Sequence, residues 1–315
     1  MERRKVICVV GPTACGKTTL GVLLAKKYGG EVVSADSMQI YRGMTIGTAA
    51  PTEAEMQGVP HHMIAVADPA EQWSAAEYVQ RATPVVDDIL TRGRLPVIVG
   101  GTGLWMDTLL RGHGFAKGSA GGAVRRELET RFEQEGIEPL LAELRQVDPD
   151  SAVRLHPADT KRILRALEVY RETGKTISAH NAETRDLPPR YDAVWIGLQF
   201  RDRADMKTLI DRRVDAMVAA GLLEEVGQLL ESGLPREATA LQAIGYKEFL
   251  GVLDGTATVE EAVAEVKLRS RQYAKRQLTW LRRNPDIHWI WWEKDRDFAR
   301  ALQVSTEILA AAGVF

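Results

Sequence analysis

The chain has 315 residues, 45% of them hydrophobic and 27% charged, with a formal net charge of −2. That balance is ordinary for a globular protein, and the length predicts a core domain with something attached or inserted. No run of about 18 uncharged apolar residues exists, so no membrane-spanning helix is expected, and the two cysteines, Cys8 and Cys15, build neither a disulfide framework nor a four-ligand zinc site.

The first apolar run, "KVICVV" (5–10), reads as a buried parallel strand. It leads straight into "GPTACGKT", in which Gly11, Gly16, Lys17 and Thr18 fit G-x-x-x-x-G-K-[ST]. In such a loop backbone N–H groups converge on phosphate oxygens, the following helix N-terminus adds positive potential, the lysine bridges oxygens and the hydroxyl can ligate Mg²⁺. The apolar run is too short for a signal peptide, so a cytoplasmic protein is expected. Residues 16–28 read as the helix behind the loop. "GGEVVSAD" reads as a second strand ending at Asp36, "WSAAEYVQRATPVVDDILTRG" as a helix with a glycine stop, and "RLPVIVGGTG" as a strand ending at Gly100-Gly101. Strands alternating with helices predict an α/β fold, a doubly wound parallel sheet of the P-loop NTPase-like kind.

The pattern changes after Trp105. "RGHGFAKGSAGG" (111–122) is a glycine-rich linker, and from Ala123 to about Gly174 the chain reads as helices with no convincing strand. "YDAVWIGLQF" (191–200) returns to strand character. The expected organisation is a helical insertion at 115–190 within a core of 1–114 and 191–315. Two helical segments follow, then a long amphipathic helix near 258–283. From Glu265 to Arg283 this helix carries Lys267, Arg269, Arg271, Lys275, Arg276, Arg282 and Arg283 against one acid. Such a stripe is either a nucleic-acid surface or a solvated face, and the interleaved Tyr273 and Trp280 either belong to it or to the core. "DIHWIWW" (286–292) is the final strand, and its tryptophans read as a buried edge strand rather than a base-stacking platform.

A hydrolytic ATPase places an aspartate at the end of an apolar strand, where it holds Mg²⁺. Here "PVIVGG" ends in glycine, and the acid stands instead at Asp36. Carboxyl ends of adjacent parallel strands face one crevice, so Asp36 could accept a proton from a nucleophile beside the bound phosphates. It could equally cap the next segment. Thr102 in "VGGTG" offers a hydroxyl to the same crevice, although a simple turn would look the same. His61 and His62, adjacent and without a third ligand in reach, read as structural.

"GPTACGKT", "SADSMQIYRGMTIGTAAPT", "PHHMI", "WSAAEY", "VIVGGTGLW", "HPADTKRILRALEVYRETGK", "AIGYKE" and "AKRQLTWLRR" occur in this order, from about residue 7 to 292. Together they resemble the tRNA dimethylallyltransferase (tRNA isopentenyltransferase) family. The resemblance implies transfer of the dimethylallyl group of dimethylallyl diphosphate to N6 of the adenosine just 3′ of the anticodon. The diphosphate is then a leaving group held by Gly11, Pro12, Thr13, Ala14, Cys15, Gly16, Lys17 and Thr18 with Mg²⁺ on Thr18. Asp36 would be the general base, with Thr102 positioning the reactants and Arg213 on the diphosphate, Arg212 being its neighbouring rival. The resemblance also implies tRNA contacts at Asp36, Ser37, Met38, Gln39 and Arg125. It adds Lys161, Arg162, Ile163, Leu164 and Arg165, and Gln242, Ala243, Ile244, Gly245, Tyr246 and Lys247. On the basic helix the contacts would be Lys275, Arg276, Gln277, Leu278, Thr279, Trp280, Leu281 and Arg282. The partner is the tRNA anticodon stem-loop, its adenine flipped out and enclosed, and a monomer with no membrane attachment is expected.

Three departures stand out. Cys15 occupies a position where the family usually has serine, Lys161 one where glutamine is common, and "GSAGGAVRR" lacks the acidic residue expected near Gly121-Gly122, although Arg125 fits. No cysteines remain for the zinc finger of eukaryotic relatives. The competing readings are a small-molecule kinase, a nucleotide-regulated RNA-binding protein, and an isopentenyltransferase acting on free adenine nucleotides. The last needs neither the helical insertion nor the basic helix.

Overall fold

A computed structural model describes residues 4–112, 122–185 and 188–314. Residues 113–121 of the glycine-rich linker at 111–122 lie outside them, including Gly121 of the Gly121-Gly122 pair where the acidic residue is missing. The chain divides into two units, Met1–Gly112 with Pro189–Phe315, and His113–Pro188.

The first unit is built on six parallel strands. They are β1 (Lys5–Val10), β2 (Glu31–Ala35), β3 (His61–His62), β4 (Pro96–Gly100), β5 (Asp192–Phe200) and β6 (Ile287–Trp292), in the order β3-β2-β4-β1-β5-β6. The helices before the second unit are α1 (Lys17–Tyr28), α2 (Glu53–Met56), α3 (Ala75–Thr91) and α4 (Gly103–Arg111). β1 lies inside the sheet and is apolar at nearly every position because both its faces are covered. Val6, Cys8 and Val10 enter one hydrophobic cluster, and Ile7 and Val9 enter the other. α1 stops where Gly29 takes a left-handed conformation, with Lys26 and Lys27 in the last turn complementing the helix dipole.

The second unit is helical: α5 (Ala123–Glu135), α6 (Glu138–Val147), α7 (Pro149–Arg154), α8 (Thr160–Thr173) and α9 (Ile177–Arg185). Leu128, Leu140, Leu141, Leu144, Ile163, Leu164 and Leu167 form its own small core. After it the first unit resumes with β5 and then α10 (Arg203–Ala219), α11 (Leu222–Glu231), α12 (Lys247–Leu253), α13 (Val259–Leu281) and α14 (Phe298–Ala311). A reciprocal capping box between Thr258 and Glu261 starts α13. None of the described helices is long and apolar enough to cross a membrane.

β3 and α14 are among the elements that the sequence reading does not place. β3 is two residues long, too short for any alternation, yet it forms the sheet edge beside β2. His62 Nε2 lies 2.7 Å from Glu31 Oε2, and His61 Nδ1 lies 2.8 Å from the Val59 carbonyl oxygen, so both histidines serve the fold. β6 is the opposite edge, with Trp292 buried and Trp291 exposed, and α14 follows it.

Candidate active site

At the carboxyl end of β1 the chain turns sharply, with φ of 151° at Gly11, 64° at Ala14 and 90° at Gly16, before α1 begins at Lys17. The Lys17 ammonium curls back to donate to the Pro12 carbonyl at 2.8 Å. Burial lowers its pKa, and the nearby Arg213 guanidinium adds to the fall while the Asp36 carboxylate opposes it. Cys15 is fully buried, and its carbonyl accepts a hydrogen bond from Trp292 Nε1 at 2.9 Å. Burial pushes its thiol up despite the positive charge of Lys17, which makes it an inert packing group rather than a reactive thiolate.

Asp36 stands one residue past β2 and turns back to accept the Met38 amide on Oδ1 at 2.9 Å. Thr102, at the carboxyl end of β4, accepts the Ser37 amide on Oγ1 at 3.2 Å. The ends of β2 and β4 are thereby tied together next to the phosphate loop. Gln39 is held by the Ser34 hydroxyl at 3.0 Å and by donating to the Ala49 carbonyl at 3.2 Å. The 45–48 loop that completes this wall closes on one buried carboxylate. Glu225 on α11 accepts from the Thr45, Ile46 and Gly47 amides at 2.8, 2.8 and 3.0 Å, and from the Thr45 hydroxyl at 2.9 Å. Tyr246 donates to it as well, at 2.5 Å.

Two helices close the far side. From α10, Arg213 reaches inward, its pKa lowered by burial and raised by Asp36, while Arg212 beside it is exposed. From α13, Tyr273 is partly buried, and its phenol is pushed up to about 12 by burial, with the Asp36 charge adding and hydrogen bonding to Thr102 and Gln277 opposing. Gln277 clamps the phosphate loop. Its Oε1 accepts the Thr13 amide at 2.9 Å and its Nε2 donates to the Gly101 carbonyl at 3.1 Å. A side chain at Gly101 would strike Gln277 Nε2, which is a reason for the second glycine of "VGG".

These groups share one cavity of about 700 Å³, whose lining includes Lys17, Thr18, Asp36, Arg213, Tyr273 and Gln277. The lining brings the cations Lys17 and Arg213 together with the Asp36 carboxylate, the Thr18 hydroxyl and the Tyr273 phenol. That combination of cations beside a carboxylate suits an anionic leaving group next to a nucleophile that loses a proton. Thr18 is partly exposed at the first turn of α1, within the cavity lining. Among the described residues no group of three or more His, Cys, Asp or Glu could enclose a metal by itself.

Several residues expected to face RNA are inside the protein. Ile163 and Leu164 belong to the core of the second unit, and Ala243, Tyr246, Gln277 and Leu281 are buried in the first. The Gly245 position is buried as well. Consecutive helical residues point in different directions, so such a run does not present one surface, while Ala243 and Gln277 line the cavity itself. Arg125 pairs with Glu129 at 2.7 Å and Arg165 with Glu168 at 2.9 Å, so both are engaged inside their own unit. Lys161, Arg162, Gln242, Lys247 and Thr279 are exposed, whereas Ile244 and Leu278 are half-buried.

The basic helix divides in two. Lys267, Arg269 and Arg271 pair with Asp215, Glu265 and Asp211 at 2.5, 2.6 and 2.6 Å. Lys275, Arg276, Arg282 and Arg283 are exposed and make no ion pair among the described residues. Arg276 lies over the Tyr273 ring and Arg283 over the Trp280 ring, at 5.6 and 5.5 Å from the centroids. Trp280 also donates to Asp107 at 2.8 Å, which ties α13 to α4.

Comparison with known proteins follows the same lines. A family described as IPP transferase matches residues 39–284. The tRNA dimethylallyltransferase of Caldanaerobacter subterraneus subsp. tengcongensis is 43% identical over 307 residues, which is 97% of this chain and 98% of that protein. The tRNA dimethylallyltransferase of Geobacillus thermodenitrificans is 46% identical over 287 residues, 91% of this chain and 90% of its own. Among solved structures, the tRNA isopentenylpyrophosphate transferase of Bacillus halodurans superposes with a TM-score of 0.73 at 40% identity, covering 98% of this chain and 96% of that one. A eukaryotic dimethylallyltransferase acting on tRNA superposes with a TM-score of 0.82 at 29% identity, covering 98% of this chain and 80% of its own.

Proposed function

The chain belongs to the IPP transferase family, and from that membership we propose that it transfers a dimethylallyl group from dimethylallyl diphosphate to N6 of the adenosine 3′-adjacent to the anticodon in tRNA. The observation that carries the reading is the cavity lined by Lys17, Arg213, Asp36 and Tyr273, with Thr102 bonded to the Ser37 amide beside it. The N6 lone pair forms the new C–N bond to the allylic carbon as the C–O bond to the diphosphate breaks. The amine proton passes to Asp36, and the electron pair leaves with the diphosphate.

The Gly11–Thr18 amides, Lys17 and Arg213 neutralise charge that grows on the leaving group. Arg213 is preferred over Arg212 for this role because it points inward and feels the Asp36 and Cys15 side chains. Thr102 and the Ser37–Gln39 segment orient the adenine. The partly exposed Thr18 hydroxyl in the cavity lining would hold a Mg²⁺, a cation commonly bound together with substrate phosphates rather than in an all-protein cage. When bound it supplies additional charge neutralisation to the leaving group.

The unpaired Lys275, Arg276 and Arg282 are the proposed contacts to tRNA phosphates, and the exposed Lys161 and Arg162 of the helical unit the proposed contacts to the anticodon loop. The reaction is assigned to the cytoplasm and to a monomer. Prenyl transfer into unmodified tRNA, read by nucleoside mass analysis, tests the reading.

A further inference from the structure

After β6 the chain turns back onto the phosphate loop before α14 begins. Trp292 holds the Cys15 carbonyl at 2.9 Å, and the Phe298 ring sits edge-on to Trp292 with centroids 5.4 Å apart. Phe298 covers Gly16 so closely that a Cβ there would lie 2.7 Å from its Cζ. Arg296 belongs to the same turn. Its Cδ would lie 3.5 Å from that Cβ, its guanidinium rests 5.8 Å from the Phe298 centroid, and it lines the cavity together with Lys17 and Arg213. Arg296 is exposed and makes no ion pair among the described residues. Its charge is close enough to be felt at Arg213. Three cations around one loop of backbone amides repel one another unless an anion sits among them.

We propose that Arg296 is a third cation for the diphosphate of the prenyl donor, held over the mouth of the phosphate loop by its stacking on Phe298. The inference rests on the donor reading above and adds a residue from outside the G-x-x-x-x-G-K-[ST] loop. Arg296 acts on the diphosphate and not on the tRNA backbone, although both present phosphate oxygens.

The test uses the full chain with Mg²⁺ and measures the affinity for inorganic pyrophosphate and for tRNA separately. Arg296→Gln and Arg296→Met should each weaken pyrophosphate binding about tenfold, as expected for loss of one charge-assisted contact at a partly hydrated site. The KM for dimethylallyl diphosphate should rise in parallel, with kcat changed less. Arg296→Lys should restore part of the affinity, and tRNA affinity should stay within twofold. Methionine keeps the apolar stem over Phe298, so a purely packing role predicts that Arg296→Met binds pyrophosphate normally, which would overturn the proposal. Loss of tRNA affinity with normal pyrophosphate affinity would overturn it too. If the unaltered chain binds no pyrophosphate, the donor reading itself falls and the inference with it.

Discussion

Gln277 on α13 grips Thr13 of the phosphate loop, taking the Thr13 amide on Oε1 at 2.9 Å while its Nε2 donates to Gly101 at 3.1 Å. Loop, β4 end and basic helix therefore meet at one buried amide. Gln277→Ala leaves the Thr13 amide and Gly101 carbonyl without these partners, at a cost of about 1–3 kcal/mol. We predict a several-fold higher KM for dimethylallyl diphosphate and a lower urea midpoint. Unchanged values for both would mean that the clamp does not hold the loop.

Asp36 faces Lys17, Arg213 and Tyr273 across the cavity. Asp36→Ala should lower kcat by about 10²–10⁴, the usual range for a lost general base, while tRNA affinity stays within a few-fold. Near-normal turnover would remove Asp36 as the proton acceptor.

The division of α13 into a paired and an unpaired half leads to a salt experiment. Lys275→Ala with Arg276→Ala should reduce the slope of log affinity for tRNA against log salt by roughly 1 to 2. Lys267→Ala, which removes a cation already paired with Asp215, should change the slope far less. Equal slopes for all three proteins would place the phosphate contacts elsewhere.

Glu31 gives a pH signature of stability. The Arg92 guanidinium, with His62 also contributing, holds its buried carboxyl down at about 2, well below the ordinary glutamate value of about 4.5. A folded pKa below the unfolded one adds stability that is complete above the unfolded value and disappears as pH falls through the folded value. The difference in unfolding free energy between the unaltered chain and Glu31→Gln should therefore be constant near neutrality and shrink between about pH 4.5 and 2. Urea titrations at several pH values measure it, and a difference independent of pH in that window would contradict the ion-pair account.

Features set by neighbouring residues are readable in the sequence. β1, the phosphate loop, Asp36 after β2 and Thr102 after β4 each follow from local spacing. Features set by distant partners are hidden. "GLLEEVGQLL" reads as an ordinary amphipathic helix, and nothing local distinguishes buried Glu225, which closes the 45–48 loop, from Glu224 beside it. Trp292 reaching Cys15 joins residues 277 positions apart. Contiguous motifs also mislead in a helix: "KRILR" mixes exposed Lys161 and Arg162 with buried Ile163 and Leu164. Cys15 stands where the family usually has serine, and the sequence does not show that it is fully buried with its thiol pKa pushed up.

The central claim is that the loop at Gly11–Thr18 holds a prenyl diphosphate and not a nucleotide to be hydrolysed. The direct measurement is incubation of the chain with dimethylallyl diphosphate, Mg²⁺ and unmodified tRNA, then nucleoside mass analysis, with ATP as the competing donor in a parallel reaction. The account predicts adenosine carrying one dimethylallyl group next to the anticodon and one diphosphate released per transfer, with no transfer from ATP. Unmodified nucleosides together with ATP turnover would contradict it.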